Sequence, residues 1–350
     1  MASVAKTGRA ARRSATIEDV ARLAGVSRAT ASRVVNHNPQ VRPEARAAVE
    51  AAVEALHYVP NRAARSLMTR RTDSIGVVIP ESTAHFFADP FFGYLLRGIS
   101  DVLSESDVQL VLFIAPTVRE EARVAEFLEA GHVDGAILVG PRAEDPMPML
   151  LARQGVPIVL SGRSDESSPL SYVDADNRGG ARLAVEHLLS VGCTRIATIH
   201  GALGLWSARD RLAGYHDALA AAGLPQDPTL EADGDFRQDA AADAVLRLLE
   251  QHPDLDGVFA ASDAMGVAAA RVLREAGRRV PEDVAVVGFD DAPLATSMRP
   301  TLSTIRQPIT RMGQELARLL LRRVANPAEP PGRVVFPTEL VVRESSSRGS

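Results

Sequence analysis

The sequence predicts an α/β core of two doubly wound parallel-sheet lobes, preceded by a small all-α domain. The first observation is a charge asymmetry: residues 1–71 hold 13 lysines and arginines against 5 acidic residues, whereas residues 72–350 hold 26 against 39. The second is a change of pattern at Ser74, after which short β-branched runs alternate with amphipathic helical stretches. A small basic module for a polyanion is therefore expected to precede an acidic body with another role.

The all-α domain begins at Thr16, a natural N-cap that is followed by two carboxylates where the helix dipole favours them. Gly25 can end this helix, and Ser27 caps a second helix that runs to about Asn36. Two helices joined by so tight a turn cross steeply, which is helix-turn-helix geometry. A third helix begins with Pro43 at its first position. A generic three-helix bundle is the alternative, but it does not account for the positive charge.

The strand candidates of the core include seven clearly apolar runs, and six helix candidates lie between them. The apolar runs are SIGVVIP, QLVLFIA, DGAILVG, PIVLSG, RIATIHG, GVFAAS and VAVVGFD, and the helices lie near 92–105, 118–130, 177–191, 207–222, 238–251 and 263–276. Apolar runs without polar alternation are typical of parallel strands that helices cover on both faces. More than ten strands over 279 residues are too many for one compact sheet, so two lobes are predicted. Their strands should end at a shared, ligand-binding cleft.

Composition excludes several classes of protein. Hydrophobic residues make up 46% and charged residues 24% of the chain, as in globular rather than disordered proteins. Cys193 is the only cysteine, which excludes a disulfide framework and a multi-cysteine metal site. No apolar run approaches the roughly 18 residues of a membrane span, and no signal-peptide pattern is present, so we expect a cytoplasmic protein without membrane partners. A transit peptide at residues 1–15 is a weak alternative, since this stretch runs straight into structured pattern.

The core shows no convincing catalytic arrangement, so we do not expect an enzyme. The sequence lacks Gly-x-Ser-x-Gly, and the segment 201–204 lacks the Gly-Lys-Ser/Thr of a phosphate loop, so we expect a tight turn at the cleft rim. The 8 histidines include no His-x-x-x-His pair, which argues against a metal site, and no cofactor is indicated. A metabolic enzyme built on parallel sheets is the alternative, and turnover of a substrate by the purified protein would support it.

Motifs along the chain resemble the lactose-repressor/galactose-repressor (LacI/GalR) family. They are TIEDVARLAGVSRATASRVVN and VRPEARAAVEAAVEALHYVPNRAARSLMTRRTDSIGVVIP, DPFF at 89–92, VDADNRGG at 173–180, RDRLAGY at 209–215, ASDAMGVAA at 261–269, VVGFDD at 286–291 and LSTIRQP at 302–308. The resemblance covers roughly residues 16–344. It implies a core similar to type I periplasmic sugar-binding proteins, with lobes that are discontinuous in sequence.

This resemblance sets the expected domain bounds. They are a disordered arm at 1–15, a helix-turn-helix DNA-binding domain at 16–60, a hinge helix and linker at 61–71, an effector-binding and dimerisation core at 72–345, and a disordered tail at 346–350. Lobe 1 is expected at about 72–175 plus 306–336 and lobe 2 at about 176–305 plus 338–345, with a third strand crossing near 336–338.

The resemblance also implies which side chains contact DNA. Arg28, Ala29 and Arg33 fall at base-reading positions of the second helix, where arginine can donate two hydrogen bonds to guanine. The positions that match phosphate contacts are Thr16, Ser27, Ser32, Asn36 and Asn61. Leu67, in the hinge segment 61–68, matches a side chain that wedges between base steps in the minor groove. Ala31 departs from the usual valine, which affects packing rather than function.

A further set of residues falls around the family's effector pocket. It comprises Asp89, Phe91, Phe92, Arg163, Trp206, Ser207, Arg211, Phe236 and Asp290. Flat aromatic faces stack on sugar rings or planar bases, while carboxylates and guanidinium groups hold vicinal hydroxyls. An interlobe salt bridge between Arg211 and Asp290 is the alternative to a role in ligand binding.

The function expected from these observations is a sequence-specific DNA-binding transcriptional regulator, in the first instance a repressor. A small-molecule effector, a sugar or sugar derivative, is expected between the lobes. The regulator should bind a pseudo-palindromic operator in double-stranded DNA as a homodimer, because one short module buries too little surface to be specific alone. A solute-binding transport component is the alternative that the core alone would permit. Effector identity, its sign of action, the operator and the target genes stay open.

Overall fold

The computed structural model describes residues 15–36, 40–58, 71–165 and 168–347. The chain divides into two compact units between Thr72 and Asp73. Among the described residues, no helix is both long enough and apolar enough to cross a membrane.

The first unit is a cluster of three short helices, as the sequence predicts. They are α1 (Ile17–Leu23), α2 (Arg28–Val35) and α3 (Pro43–Leu56). Thr16 and Asp19 form a capping box at the start of α1, and the Ser27 hydroxyl accepts a hydrogen bond from the backbone of Thr30 at the start of α2. The apolar faces of the helices meet in one small core, made of Val20, Ala21, Ala31, Val34, Val49 and Ala52.

The second unit contains twelve described strands. They are β1 (Ser74–Ile79), β2 (Gln109–Ile114), β3 (Ala136–Val139), β4 (Ile158–Ser161), β5 (Ser171–Ala175), β6 (Ile196–His200), β7 (Glu231–Asp233), β8 (Gly257–Ala260), β9 (Ala285–Asp290), β10 (Ser303–Arg306), β11 (Arg333–Phe336) and β12 (Glu339–Val341). The helices of this unit are α4 (Thr83–Ala88), α5 (Pro90–Ser104), α6 (Val118–Glu129), α7 (Met147–Arg153), α8 (Asn177–Ser190), α9 (Trp206–Ala221), α10 (Gln238–Gln251), α11 (Asp263–Glu275) and α12 (Ile309–Ala325).

The strands form two six-stranded sheets of the same topology. The order is β2-β1-β3-β4-β5-β11 in the first sheet and β7-β6-β8-β9-β10-β12 in the second. All neighbouring strands are parallel except β12, which is antiparallel to β10. The strand order reverses beside β1 in one sheet and beside β6 in the other, and such switch points are where these folds bind ligands. The prediction of two doubly wound parallel lobes is confirmed.

Each sheet lies between two layers of helices. In the first lobe, α5 and α12 cover one face and α6 and α7 cover the other. In the second lobe, α8 and α9 cover one face and α10 and α11 cover the other. Because both faces are buried, most strands are continuous apolar runs rather than alternating ones. The helices α4, α7 and α12 are elements that the sequence analysis did not identify.

The chain passes from one lobe to the other three times. It crosses after β5 into α8, returns after β10 into α12, and crosses again from β11 to β12. Each lobe is therefore assembled from separate stretches of sequence.

The assignment of residues 346–350 to a disordered tail is wrong at its first residue. Ser346 is fully buried, and its hydroxyl donates a hydrogen bond to Ser303 and lies 2.7 Å from a ring nitrogen of His187. The neighbouring Ser345 is also buried and donates to the backbone carbonyl of Val286. Hydroxyl groups that satisfy buried backbone polar groups anchor this segment to the second lobe, which composition alone does not reveal.

Candidate functional site

One face of helix α2 is exposed on the surface of the first unit. Arg28, Ala29 and Arg33 are exposed on this face, whereas Ala31 and Val34 point into the small core. Helical periodicity therefore separates the predicted base-reading positions from the packing positions. The Arg28 guanidinium lies 2.8 Å from the Glu18 carboxylate, an exposed ion pair that DNA can displace at little cost.

Of the predicted phosphate contacts that the structure describes, Thr16 and Ser27 lie at helix N-termini, whereas Ser32 lies within α2 and Asn36 follows its last residue. Thr16 and Ser27 are N-caps of α1 and α2, and the Asn36 side chain donates a 3.4 Å hydrogen bond to Ser32. Capping residues lie beside backbone N–H groups at helix N-termini, which favour anions. Asn61 and Leu67 lie outside the described residues, as does the predicted hinge helix.

A cavity of about 840 Å³, measured with its open mouth, lies between the two lobes. Its walls come from residues at or just beyond the carboxyl ends of strands in both sheets, such as Ser161 at the end of β4 and Asp290 at the end of β9. Eight of the predicted effector residues line it: Asp89, Phe91, Phe92, Trp206, Ser207, Arg211, Phe236 and Asp290. The mixture of apolar and polar walls suits a small-molecule ligand.

Arg211, on α9, is the buried cation of this cavity. Only 6% of its surface is exposed. Its guanidinium donates 2.8 Å from Nε to the Asn177 side chain and also donates to the backbone carbonyl of Ala261. It lies 3.6 Å from the Asp290 carboxylate and 3.7 Å above the ring of Phe289. These contacts fix the orientation of Arg211 before any ligand enters.

Asp290 combines burial with an unusual backbone conformation. Its φ is +118°, a backbone conformation that residues other than glycine rarely adopt. Its carboxylate accepts a 2.6 Å hydrogen bond from the Gln307 side chain. Burial raises the pKa of Asp290 to about 7, and the Arg211 charge acts in the opposite direction. Phe236, across the cavity, also has positive φ, at +54°. Strained residues of this kind cluster at functional sites.

The Arg211–Asp290 pair is not an interlobe bridge. Both residues belong to elements of the second lobe, α9 and β9, so the ion pair between them does not hold the two lobes together. Both line the cavity, which keeps their polar atoms beside the ligand space.

Arg163 does not line the cavity, contrary to its place in the predicted effector set. Its guanidinium instead makes two hydrogen bonds of 2.5 and 2.6 Å to Asp210 on α9 and lies 4.3 Å from the Trp206 ring centre. Its backbone N–H donates to Asp174 at 2.9 Å. Since Arg163 follows β4 of the first lobe, this contact connects the two lobes behind Trp206. The hydrogen bonds to Asp210, which lies 47 residues further along the chain, hold the Arg163 side chain outside the cavity.

The aromatic side chains come from several different elements. Phe91 and Phe92 start α5, Trp206 starts α9, and Phe236 follows β7. The predicted turn at 201–204 lies beneath Phe236, since a Cβ at Gly201 would lie 2.1 Å from the Phe236 ring. A glycine is therefore required for this ring to reach the cavity wall.

Several lining residues were missed by the sequence analysis, among them Glu81, His85, Ser161, Asp174, Asn177 and Gln307. Asp174 is buried, and burial raises its pKa to about 6 although the backbones of Arg163 and Ala175 donate to it. Asp174 and Asn177 belong to the motif at 173–180, and a polar pair just at a strand end was the signal that could have identified them. Among the described residues, no cluster of three or more His, Cys, Asp or Glu side chains could hold a metal ion.

Two family models match the chain. The model described as bacterial regulatory proteins, lacI family, matches residues 16–61. The model described as periplasmic binding protein-like domain matches residues 185–346. The first match covers the three-helix unit and the second covers most of the second lobe together with the returning segments of the core.

Individual relatives match over nearly the whole length. The HTH-type transcriptional regulator CelR of Thermobifida fusca is 47% identical over 336 residues, which are 95% of this chain and 99% of the relative. A solved structure of a transcriptional regulator CelR–cellobiose complex is 45% identical, with a TM-score of 0.76 over 95% of this chain and 99% of that chain. The lac repressor dimer bound to operator and the anti-inducer ONPF is 30% identical, with a TM-score of 0.85 over 95% of this chain and 99% of that chain.

Proposed function

Because the chain belongs to the lacI family of bacterial regulatory proteins, we propose that α2 reads operator DNA and that a sugar bound between the lobes controls this binding. The protein is a DNA-binding transcriptional regulator with an effector-binding core. The observation that carries the proposal is the cavity, which joins a buried Arg211–Asp290 pair to aromatic walls.

The DNA-reading surface is the exposed face of α2. Arg28 and Arg33 supply bidentate donors to guanine, and Ala29 supplies an apolar contact. Thr16, Ser27, Ser32, Asn36 and Asn61 contact phosphates, and Leu67 acts as the minor-groove wedge. We propose the domain bounds given above, with DNA binding before residue 72 and effector binding after it, and the division into compact units between Thr72 and Asp73 supports this proposal.

The effector is proposed to be a glucose disaccharide such as cellobiose, the ligand of the CelR complex that resembles this chain. Trp206 and Phe236 offer flat faces for sugar rings, while Asp89 and Asp290 accept hydrogen bonds from hydroxyls and Arg211 donates to ring or hydroxyl oxygens. Ser207, Phe91 and Phe92 complete the wall.

The protein is proposed to act as a homodimer on a pseudo-palindromic operator, as the lac repressor structure is a dimer on its operator. A regulator of this family works where the DNA is, which supports a cytoplasmic location. The relatives named above are regulators, which supports a binding protein rather than an enzyme.

The test is operator binding with and without cellobiose, using an operator selected from random duplexes by the protein itself. Wild type should change its operator affinity when cellobiose is added. Arg211→Ala and Asp290→Ala should each abolish this change while basal affinity stays near wild type, because a protein that cannot bind the ligand cannot respond to it. The exposed Arg247→Ala and Asp243→Ala on α10 are matched controls that should respond normally.

Three results would contradict the proposal. An unchanged dose–response in both cavity variants would remove Arg211 and Asp290 from the site. Altered operator affinity in both variants without ligand would instead assign the pair a structural role. Failure to select any operator would favour the solute-binding alternative.

A further inference from the structure

The cavity contains a marked excess of carboxylates. Glu81, Asp89, Asp174 and Asp290 line it, and Asp263 lies fully buried behind Asp290. Arg211 is the only lysine or arginine among the described lining residues, and His85 is the other basic group there. A bound ligand therefore meets several acidic groups and one guanidinium.

The guanidinium of Arg211 is already engaged by protein groups. It donates to Asn177 and to the carbonyl of Ala261, and its charge is opposed by Asp290 at 3.6 Å. Arg163, which stacks on the lining residue Trp206, is paired with Asp210 outside the cavity. Arg211 and Arg163 are thus each paired with a carboxylate, so neither guanidinium is available to neutralise an anionic ligand.

We infer that the cavity admits uncharged sugars and rejects their anionic derivatives, such as uronates and sugar phosphates. This inference rests on the proposed function and narrows its ligand class. Its basis is the placement of four carboxyl groups from both lobes around one ligand space with a single, already paired guanidinium.

Like-charge repulsion supplies the discrimination. At an effective dielectric constant of about 20, one carboxylate about 10 Å from a ligand anion weakens binding roughly ten- to twenty-fold. Burial raises the pKa of Glu81 and Asp89, and it raises the pKa of Asp174 to about 6 and that of Asp290 to about 7, so Asp290 is partly protonated near neutral pH. A protonated carboxyl still gives no positive charge, but it can donate to a sugar oxygen while an ionised one accepts from a hydroxyl. The four carboxyl groups can therefore hydrogen-bond to neutral, hydroxyl-rich ligands whether they are protonated or ionised.

The experiment compares ligands that differ in charge but hardly in shape. Cellobiose, glucose and galactose are titrated into the full chain by calorimetry, and the tightest binder is compared with its uronate and its uronamide. We expect the uronamide to bind at least about 100-fold more tightly than the uronate, equivalent to about 2.7 kcal/mol. Glu81→Gln should narrow this ratio, whereas the exposed Glu250→Gln on α10 should leave it unchanged.

A second arm uses inorganic phosphate alone, against sodium chloride of equal ionic strength. We expect that phosphate does not raise the melting temperature of wild type more than that of Arg211→Ala. A uronate that binds as tightly as its uronamide, or a stabilisation by phosphate that Arg211→Ala removes, would overturn the inference and leave the proposed function intact. If none of the three neutral sugars binds, the proposed sugar effector fails and the inference fails with it.

Discussion

Single carboxyl groups in the cavity carry an energetic cost that the ligand-free protein must bear. Asp290 is nine-tenths buried, its φ is positive, and its carboxylate is held by Gln307 and Arg211. Asp174 is buried to a similar degree and accepts three hydrogen bonds, from the backbones of Arg163 and Ala175 and from Asn177. Hydrogen bonds keep these groups in place, but they do not offset burial fully, since both pKa values are raised.

The stability of the ligand-free protein should therefore fall as pH rises from 5 to 8. In the unfolded chain these carboxyls titrate near a pKa of about 3.9, whereas in the folded protein they titrate at about 6 and about 7. The folded state thus binds more protons within this window, so the free energy of unfolding decreases as pH rises. Urea denaturation at pH 5 and pH 8 should show a loss at least about 1 kcal/mol larger in wild type than in Asp290→Asn.

The control is Asp239→Asn on the surface of α10. Asp239 is exposed, and its pKa of about 2, set mainly by hydrogen bonds from Arg237 and from the backbone of Ala240, lies below the window. This variant should lose as much stability as wild type between the two pH values. Parallel pH profiles for wild type and Asp290→Asn would show that Asp290 does not titrate in the window.

The family resemblance indicated most of the residues that line the cavity, and they lie together because strand ends in parallel sheets converge on one cleft. Arg163 shows the limit of that argument. It follows a strand end, yet its long side chain can point either way, and the pairing with Asp210 that decides the matter joins residues far apart in sequence. Asp174 and Asn177 were missed for another reason: a strand-end carboxylate followed by a helix start is also what ordinary helix capping requires.

Pairs of helices in each lobe approach so closely that glycine is required at the contact. A Cβ at Gly98 on α5 would lie 2.0 Å from the backbone oxygen of Thr310 on α12. In the second lobe, a Cβ at Gly214 on α9 would lie 2.2 Å from the backbone oxygen of Arg178 on α8. Backbone atoms cannot rotate away as side chains do, so an added methyl must push the helices apart.

Gly98→Ala should destabilise the protein by about 1–3 kcal/mol, the usual cost of overpacking. Gly93 lies on the exposed side of the same helix with nothing within 4 Å of a Cβ, so Gly93→Ala should be neutral or stabilising by up to about 1 kcal/mol. The urea midpoints of both variants measure the difference. Equal midpoints would mean that the contact between α5 and α12 relaxes without cost.

At this scale, length and amphipathic periodicity decided which elements the sequence revealed. Six of the nine described helices of the second unit and seven of its described strands were predicted closely. The strands β7 and β12 have only three residues each and carry no periodic signal. α12 was missed although its buried residues repeat at helical spacing, as at Met312, Leu316 and Leu320. Its place in the first lobe, after a stretch that belongs to the second, depends on tertiary pairing.

Across the whole molecule, positive charge is concentrated before residue 72 and negative charge after it, and DNA binding should depend on this separation. Deleting residues 1–71, which carry an excess of 8 positive charges, should abolish DNA binding and leave sugar binding unchanged. In the full chain, operator affinity should fall steeply with salt, on the order of 10³-fold between 50 and 200 mM if about six phosphates are neutralised. Gel-shift titrations over this range and calorimetry of the truncated chain provide the measurements. DNA binding by the truncated chain would overturn the assignment of roles to the two modules.

The third crossing between the lobes also has a consequence for how the protein is made on the ribosome. The three-helix unit emerges first, but Gln307 and Met312 in the cavity wall, β11 in the first sheet and β12 in the second are translated near the end. A nascent chain halted before residue 307 would thus carry the DNA-facing helix without a complete sensor. Premature stop codons late in the gene should therefore remove the response to the effector before they remove the segment that contacts DNA.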